Sequence, residues 1–207
     1  MTSNKKRTRL KTLANLCSRS IIGFFFFKSL AVILLSVPFP MIETIINKLE
    51  LPFMAGLNAE GEPVFESLHA ELLDNGTNRI RLLKSPLLAR NLAAGDILRV
   101  INPSTADYEL ERRSGNLCIR LFRKNDLKDL EQFLTSAIER LGGSLDLHAE
   151  RALVYSIHIS LGFGAIEALL NRAKEKFSET VWYYGNVYDP EDGITPLDWW
   201  LEFDNQE

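Results

Sequence analysis

The sequence predicts an α+β protein in which a small β-rich N-terminal subdomain precedes a ferredoxin-like βαββαβ subdomain. Residues 56–113 consist of short apolar or alternating runs separated by turn-forming residues. Residues 116–188 hold, in order, an apolar run, a helical run, two apolar runs, a second helical run and an aromatic run. The composition, 46% hydrophobic and 25% charged, is typical of a globular chain.

Charge divides the chain near residue 40. Residues 1–40 hold seven Lys or Arg and no Asp or Glu, and residues 21–37 are an apolar run with Lys28 close to its centre. Three interpretations stay open: sequence upstream of a true start at Met41, a single-pass or signal anchor, and a cleaved signal peptide. Residues 21–37 are the only segment from which a membrane contact is expected, and an anchor would keep the basic cluster on the cytoplasmic side.

The rest of the chain is acidic. Residues 41–207 carry 17 basic and 27 acidic residues, a net charge of −10. A surface of that sign repels phosphate backbones, so binding to nucleic acid is not expected. Cys118 is the only cysteine in this part of the sequence, which argues against a disulfide framework and favours a cytoplasmic location over an anchored one.

The β-rich subdomain is predicted over residues 41–113. Four aliphatic residues at helical spacing indicate a short amphipathic turn or helix over residues 41–51, which ends before Pro52. The Asn75-Gly76 pair is a hairpin signal, because both residues tolerate positive φ. The further elements predicted are a strand over residues 64–73, its hairpin partner over 78–83, a loop or one helical turn over 87–93, and strands over 97–101 and 108–112.

The ferredoxin-like subdomain is predicted over residues 114–188, with its join at Ser114-Gly115. Aliphatic residues alternate along its first strand, so one face of that strand is expected to pack under the helices. Residues 189–207 are an acidic tail in which Trp199 and Trp200 are expected to pack against the body. The elements predicted are a strand over residues 117–122, a helix from the N-cap Asp126 to about Leu141, a hairpin over 144–149 and 152–159, a helix over 162–176 and an aromatic strand over 180–188.

Five short segments carry a resemblance to a known family. They read FESLHAE at residues 65–71, AGDIL at 94–98, RSGNLCIR at 113–120, EALL at 167–170 and WYY at 182–184. Together they resemble an uncharacterised bacterial family catalogued as domain of unknown function 4265. The resemblance covers about residues 64–188 and implies a common two-part architecture, without a reaction, cofactor or partner. Where that family tends to show Ser-Gly-His-Ser-Thr, this chain has Ser-Gly-Asn-Leu-Cys at residues 114–118.

The titratable residues do not have the spacing of a metal site. The three histidines, His69, His148 and His158, form no His-x-x-x-His pattern, and the sequence has no Cys-x-x-Cys, so neither a metal nor another cofactor is expected. One enzymatic alternative stays open. Cys118 and His158 lie on the first and third strands, which neighbour each other in this fold, and could form a Cys-dependent catalytic pair.

The sheet face turned away from the helices is a second place where a site could lie. It would carry Cys118, Arg120 and Phe122 from the first strand and Val154, Ser156 and His158 from the third. An RNA-binding module stacks bases on aromatic residues of these two strands, and this face offers Phe122. The other interpretation is that the N-terminal strands cover the face.

The sequence therefore does not determine a function. The interpretation it favours is a non-enzymatic binding or regulatory module for a protein or a small ligand, and the alternatives are the Cys-dependent enzyme and the RNA-binding module. The cleft between the two halves and the aromatic strand are the expected binding surfaces, since aromatic residues and arginine dominate binding hot spots. The candidate binding residues are Arg120, Phe122, His158, Trp182 and Tyr184.

Overall fold

The computed structural model describes residues 48–74, 76–103 and 105–204. The candidate anchor over residues 21–37 and the first part of the expected helix over 41–51 lie outside these ranges. None of the helices in the described ranges is long and apolar enough to span a bilayer.

The first sheet is a five-stranded antiparallel meander in chain order. Its inner face contributes Phe53, Leu68, Ile80 and Leu98 to a core of its own. Ion pairs join neighbouring strands elsewhere in the sheet, for example Arg81 with Glu71 at 3.3 Å. The strands are β1 (Lys48–Leu57), β2 (Pro63–Asp74), β3 (Arg79–Leu82), β4 (Ile97–Asn102) and β5 (Asp107–Arg112).

The expectation of a helix over residues 41–51 is wrong for its described part, because residues 48–51 begin strand β1. Leu49 pairs with Ala70 and Leu51 pairs with Leu68 on β2. The alternation of Leu49, Leu51 and Phe53 also has the period of a strand, and pairing with β2 decides between the two periods. Pro52 is tolerated because β1 is an edge strand, where a missing N–H need not break the ladder.

The second sheet has four antiparallel strands in the order β7-β8-β6-β9. Two helices pack on one of its faces, where Leu117, Ile119 and Leu121 of β6 meet apolar side chains of both helices. This arrangement agrees with the predicted α+β class and with the predicted aliphatic face. The elements are β6 (Asn116–Arg123), α1 (Lys128–Arg140), β7 (Ser144–His148), β8 (Ala152–His158), a 3-10 turn (Ile159–Leu161), α2 (Phe163–Lys176), β9 (Thr180–Tyr184) and α3 (Leu201–Asp204).

Strand β9 ends at Tyr184, four residues earlier than predicted. Beyond Gly185, the side-chain amide of Asn186, and not a main-chain group, forms the hydrogen bonds with β6. Gly185 N–H still donates to Cys118 O at 2.7 Å. From there the amide of Asn186 continues the pairing with β6: its Oδ1 accepts from Cys118 N–H at 2.9 Å and its Nδ2 donates to Asn116 O at 2.9 Å. Trp199 Nε1 donates to Asn186 O at 2.6 Å, so the predicted packing of Trp199 against the body is confirmed.

The first helix begins and ends close to the prediction. Its N-cap is Leu127 and not Asp126, although Asp126 Oδ1 accepts from Lys128 N–H at 3.3 Å. Gly142 has φ of 81°, the left-handed conformation that commonly terminates a helix. Gly143 follows it at a close approach, since a Cβ there would lie 2.6 Å from Ser156 O.

Two glycines should therefore respond in opposite directions to alanine. Gly143→Ala forces Cβ against Ser156 O and Ile138 Cγ2, both 2.6 Å away, and we expect a loss of about 1–3 kcal/mol in the free energy of unfolding. Gly164→Ala lies in α2, where the new Cβ has no described atom within 4 Å apart from its chain neighbours and the backbone of its own helix, and helix propensity predicts a gain of up to about 1 kcal/mol. Urea denaturation measures the free energy of unfolding of both variants. A change of the same sign in both would contradict the prediction.

Candidate functional site

The connection between β3 and β4 covers part of the sheet face that is turned away from the helices. This connection, residues 83–96, contains no helix or strand. Its Ala89 and Leu92 belong to the core of the first sheet, while its Leu87 and Ala93 pack with Cys118 and Val154 of the second. The covering was expected from the N-terminal strands, and this long loop provides it. Because most of the loop is buried or half-buried, most of its main-chain polar groups need partners within the protein.

Glu66 of β2 binds one side of the loop. Its carboxylate accepts from the N–H groups of Leu87, Leu88 and Ala89 at 2.6, 2.8 and 2.9 Å. Hydrogen bonds to an ionised acceptor are shorter and stronger than neutral ones. One carboxylate therefore binds three consecutive N–H groups, and two of these hydrogen bonds are partly buried.

Arg120 of β6 binds the other side of the same turn and is only 3% exposed. Its Nε donates to Pro86 O at 3.1 Å, its Nη1 to Leu88 O at 3.5 Å, and its Nη2 to Ala89 O. Among the described residues, no carboxylate forms an ion pair with this guanidinium. Residues 86–89 are thus held between two side chains. The Glu66 carboxylate accepts from the N–H groups of residues 87–89, and the Arg120 guanidinium donates to three carbonyls of residues 86–89. We call this arrangement the loop clamp.

Two buried aspartates fix the flanks of the loop. Asp146 of β7 accepts from Ser85 N–H at 2.9 Å. Asp96, at the far flank, accepts from Ala93 N–H and from Ser114 N–H, both at 2.9 Å. Burial raises the pKa of Asp96, and the hydrogen bonds from Ser114 and Ala93 oppose that rise. The loop is therefore tied to both sheets along its length.

Cys118 lies under the loop and is fully buried, with Sγ 3.5 Å from Pro86 O. Burial raises the pKa of its thiol to about 11, with the nearby Arg120 acting in the opposite direction. His158 is opposite Asn116 in the register and binds Ser160 Oγ through Nδ1 at 2.8 Å. A catalytic cysteine needs an accessible, readily ionised thiol, so this environment argues against the Cys-dependent alternative.

An open groove of about 730 Å³ lies beside the loop clamp. The tip of the β1–β2 hairpin, residues 87–90 of the loop, the end of β9 and the turn over residues 188–193 surround it. We call it the inter-sheet groove. Exposed apolar and aromatic side chains form its walls: Leu57, Val64, Leu88, Tyr183 and Tyr188.

The turn at one end of the groove is acidic. It contributes Asp189, Glu191 and Asp192, while Arg90, which also lines the groove, donates to Pro190 O at 2.5 Å. Hydrogen bonds from the Thr195 hydroxyl and the N–H groups of Thr195 and Ile194 lower the pKa of Asp192, so this carboxylate is ionised at neutral pH. The groove therefore combines an apolar, tyrosine-rich wall with a negatively charged end, which we call the acidic turn.

Comparison with known sequences places the chain in a family. The family described as "Domain of unknown function (DUF4265)" matches residues 66–180, more than half of the chain. The chain belongs to this family. The match begins at Glu66 of the loop clamp and ends at the first residue of β9, so the family includes strands of both sheets.

One solved structure is similar to this member of the DUF4265 family. It is titled "Novel crystal structure of a hypothetical protein from Neisseria gonorrhoeae", and the two share 22% identity with a TM-score of 0.50. The similarity covers 67% of this chain and 93% of that one, and at this identity it shows the fold alone. No curated protein matches the chain. The family description names no reaction, ligand or partner, so the relatives do not assign a function.

The candidate binding residues of this family member lie in different places. Arg120 and Tyr184 line the inter-sheet groove, and Phe122 stacks on Tyr183 with 5.7 Å between ring centroids. Trp182 donates through Nε1 to Asn171 of α2 at 3.2 Å. His158 packs edge-on to Phe203 and is not among the residues that line the groove. A role in binding stays a prediction for all five.

Sequence reasoning missed the groove residue Tyr183, which is 46% exposed, and favoured Tyr184, which is 8% exposed. Side chains alternate between faces along a strand, and Tyr183 pairs with Arg120 on the face away from the helices. A run of three aromatic residues gives no apolar–polar alternation from which to read the face. Only the register with β6 shows that Tyr183, and not Tyr184, lies on the face away from the helices.

Removal of the guanidinium from the loop clamp should cost far more stability than removal of an exposed one. Arg120→Leu leaves buried carbonyls without donors, and we expect a loss of about 3 kcal/mol or more in the free energy of unfolding. Arg81→Leu in β3 is the matched control, because Arg81 is exposed and pairs only with Glu71 at 3.3 Å. The control should lose at most about 1 kcal/mol. Urea denaturation measures the free energy of unfolding of both variants. Similar losses would show that the loop clamp does not contribute strongly to stability.

The Cys118 thiol should be inert in the native protein. With Cys17 replaced by serine, Cys118 is the only thiol, and we expect no labelling by iodoacetamide at pH 8 until the protein is unfolded in urea, since the thiol is buried with a pKa of about 11. Mass spectrometry of both samples measures the labelled fraction. Rapid labelling without urea would restore the Cys-dependent enzyme as the better interpretation.

Proposed function

We propose that the protein is a non-enzymatic binding module whose inter-sheet groove receives a segment of another protein that carries aliphatic and basic side chains. The observation that carries this proposal is the composition of the groove: an exposed apolar and tyrosine wall that ends at the acidic turn. Tyrosine supplies a large contact area at a small cost in conformational entropy and is enriched at interface hot spots.

The loop clamp supports this proposal because it pre-organises one wall of the groove. Leu87 and Leu88 donate their N–H groups to Glu66 and present their side chains at the groove. A wall that is already ordered in the free protein loses little conformational entropy when a partner binds. Rigid positioning by both sheets is what a binding loop needs.

Charge favours a basic partner over nucleic acid. Three carboxylates line the end of the groove, and residues 41–207 carry a net charge of −10. A phosphate backbone would be repelled, whereas lysine or arginine on a protein segment would be attracted and its association accelerated. The loop over residues 83–96 also covers part of the face on which an RNA-binding module of this kind would stack bases.

The finer description of the fold is also part of the proposal. The order β7-β8-β6-β9, with helices in the β6–β7 and β8–β9 connections on one face, supports a ferredoxin-like second half. Separate core clusters in the two sheets support a subdomain division at Ser114-Gly115. A cytoplasmic location is supported by the unpaired, buried thiol of Cys118.

Peptide selection tests the function directly. Random peptides of about ten residues, long enough to lie along a strand and reach the acidic turn, are displayed and selected on the full-length protein. We expect enrichment of Lys or Arg together with Leu, Ile or Val. Tyr183→Ala should weaken a selected peptide about tenfold through lost contact area, and Glu191→Lys should weaken it in a salt-dependent manner. Fluorescence polarisation measures both affinities.

Matched substitutions elsewhere control for general effects. Ile101→Ala removes an exposed apolar side chain from β4, and Glu150→Lys reverses an exposed charge in the β7–β8 turn. Both should leave the affinity unchanged. Peptides that bind the Tyr183→Ala and Glu191→Lys variants as tightly as the unaltered protein would contradict binding in the groove. Enrichment of uncharged apolar peptides without Lys or Arg would favour a small apolar ligand instead.

A further inference from the structure

Three of the four edge strands in the described sheets carry features that impede pairing with another chain. β1 contains Pro52 and a register shift between Met54 and Gly56. β5 has three acidic residues and one arginine among its six residues. β7 has a register shift in its pairing with β8. Proline, irregular register and charge are the usual protections of an exposed edge.

The fourth edge strand, β9, has none of these protections. Its sequence, Thr-Val-Trp-Tyr-Tyr, contains no charge, proline or glycine, and its pairing with β6 has no register shift. Val181 is 55% exposed and Tyr183 is 46% exposed. Among the described residues, β9 pairs with β6 alone, so its other side is the free edge. A regular, uncharged edge of this kind is a template for strand addition.

The free edge of β9 opens into the inter-sheet groove. Gly185 N–H donates to Cys118 O, so the main-chain groups of residues 181 and 183 point towards β6, whereas Gly185 O accepts from Asn91 N–H of the loop at 2.9 Å. Those of Trp182 and Tyr184 therefore point outward. Tyr184 lines the groove although its side chain is 8% exposed and packs towards α2, which leaves its main chain as the part that faces the groove.

We infer that the partner segment binds in extended form, as a fifth strand added to the free edge of β9, with its basic side chains against the acidic turn. This inference rests on the proposed function and specifies how the segment binds. Aliphatic side chains on one face of the added strand lie against Tyr183 and Leu88. Lysine or arginine near its end reaches Asp189, Glu191 and Asp192, the charges that select this occupant.

N-methylation of the peptide tests strand addition without altering the protein. The probe is a capped peptide of about ten residues in which valine alternates with lysine, long enough to pair along β9 and continue to the acidic turn. In an added strand only alternate amides donate to β9. We expect N-methylation of one alternate set of amides to weaken binding to the full-length protein about tenfold or more, and N-methylation of the other set to leave it nearly unchanged. Replacing the lysines by glutamate should abolish binding.

The outcomes separate this inference from the proposed function. If selected peptides bind in the groove but both N-methylated sets bind equally well, or the valine–lysine peptide does not bind, the strand inference is overturned while the function stands. If no basic, apolar peptide binds at all, the proposed function fails. If sedimentation shows a dimer that Val181→Lys dissociates, a second copy of this chain occupies the edge and the inference is again overturned.

Discussion

The structure depends on one arrangement, the loop clamp formed by Glu66 and Arg120 around residues 86–89. An irregular loop between two apolar sheets would leave its N–H and carbonyl groups without water, at a cost of about 1–3 kcal/mol for each unsatisfied group. The carboxylate takes three donors and the guanidinium donates to three carbonyls. Burial of a charge is expensive by itself, and for Arg120, which is 3% exposed, the hydrogen bonds to the loop offset that expense. Together these two side chains supply six hydrogen bonds to the main chain of the loop that lies between the sheets.

Much of the fold could be predicted from the sequence because it depends on local patterns. The alternation of Leu117, Ile119 and Leu121 identified the face under the helices, and Gly142 marked the end of α1. Period and turn chemistry are properties of neighbouring residues, so they are visible in a single sequence. Strand β1 was missed because Leu49, Leu51 and Phe53 fit a strand only once β2 lies beside them.

The candidate site could be predicted only in outline, since it is assembled from distant residues. Arg120 was chosen as a binding residue because arginine is frequent at hot spots, yet its donors go to carbonyls more than 30 residues earlier in the chain. The loop over residues 83–96 has no periodic pattern that would assign it to the interior. Similarly, Tyr183 and Tyr184 are alike in sequence, and their difference follows from the register with β6.

The loop clamp also explains why a groove exists beside it. Because Leu88 is bound through its main chain to Glu66, its side chain is free to face the groove, where it is 45% exposed. Gly185 lets β9 pass close to Arg120, since a Cβ there would lie 2.7 Å from Arg120 Nε. The loop clamp thus orders one part of the apolar wall of the groove, so the packing between the sheets sets part of the surface that a partner would meet.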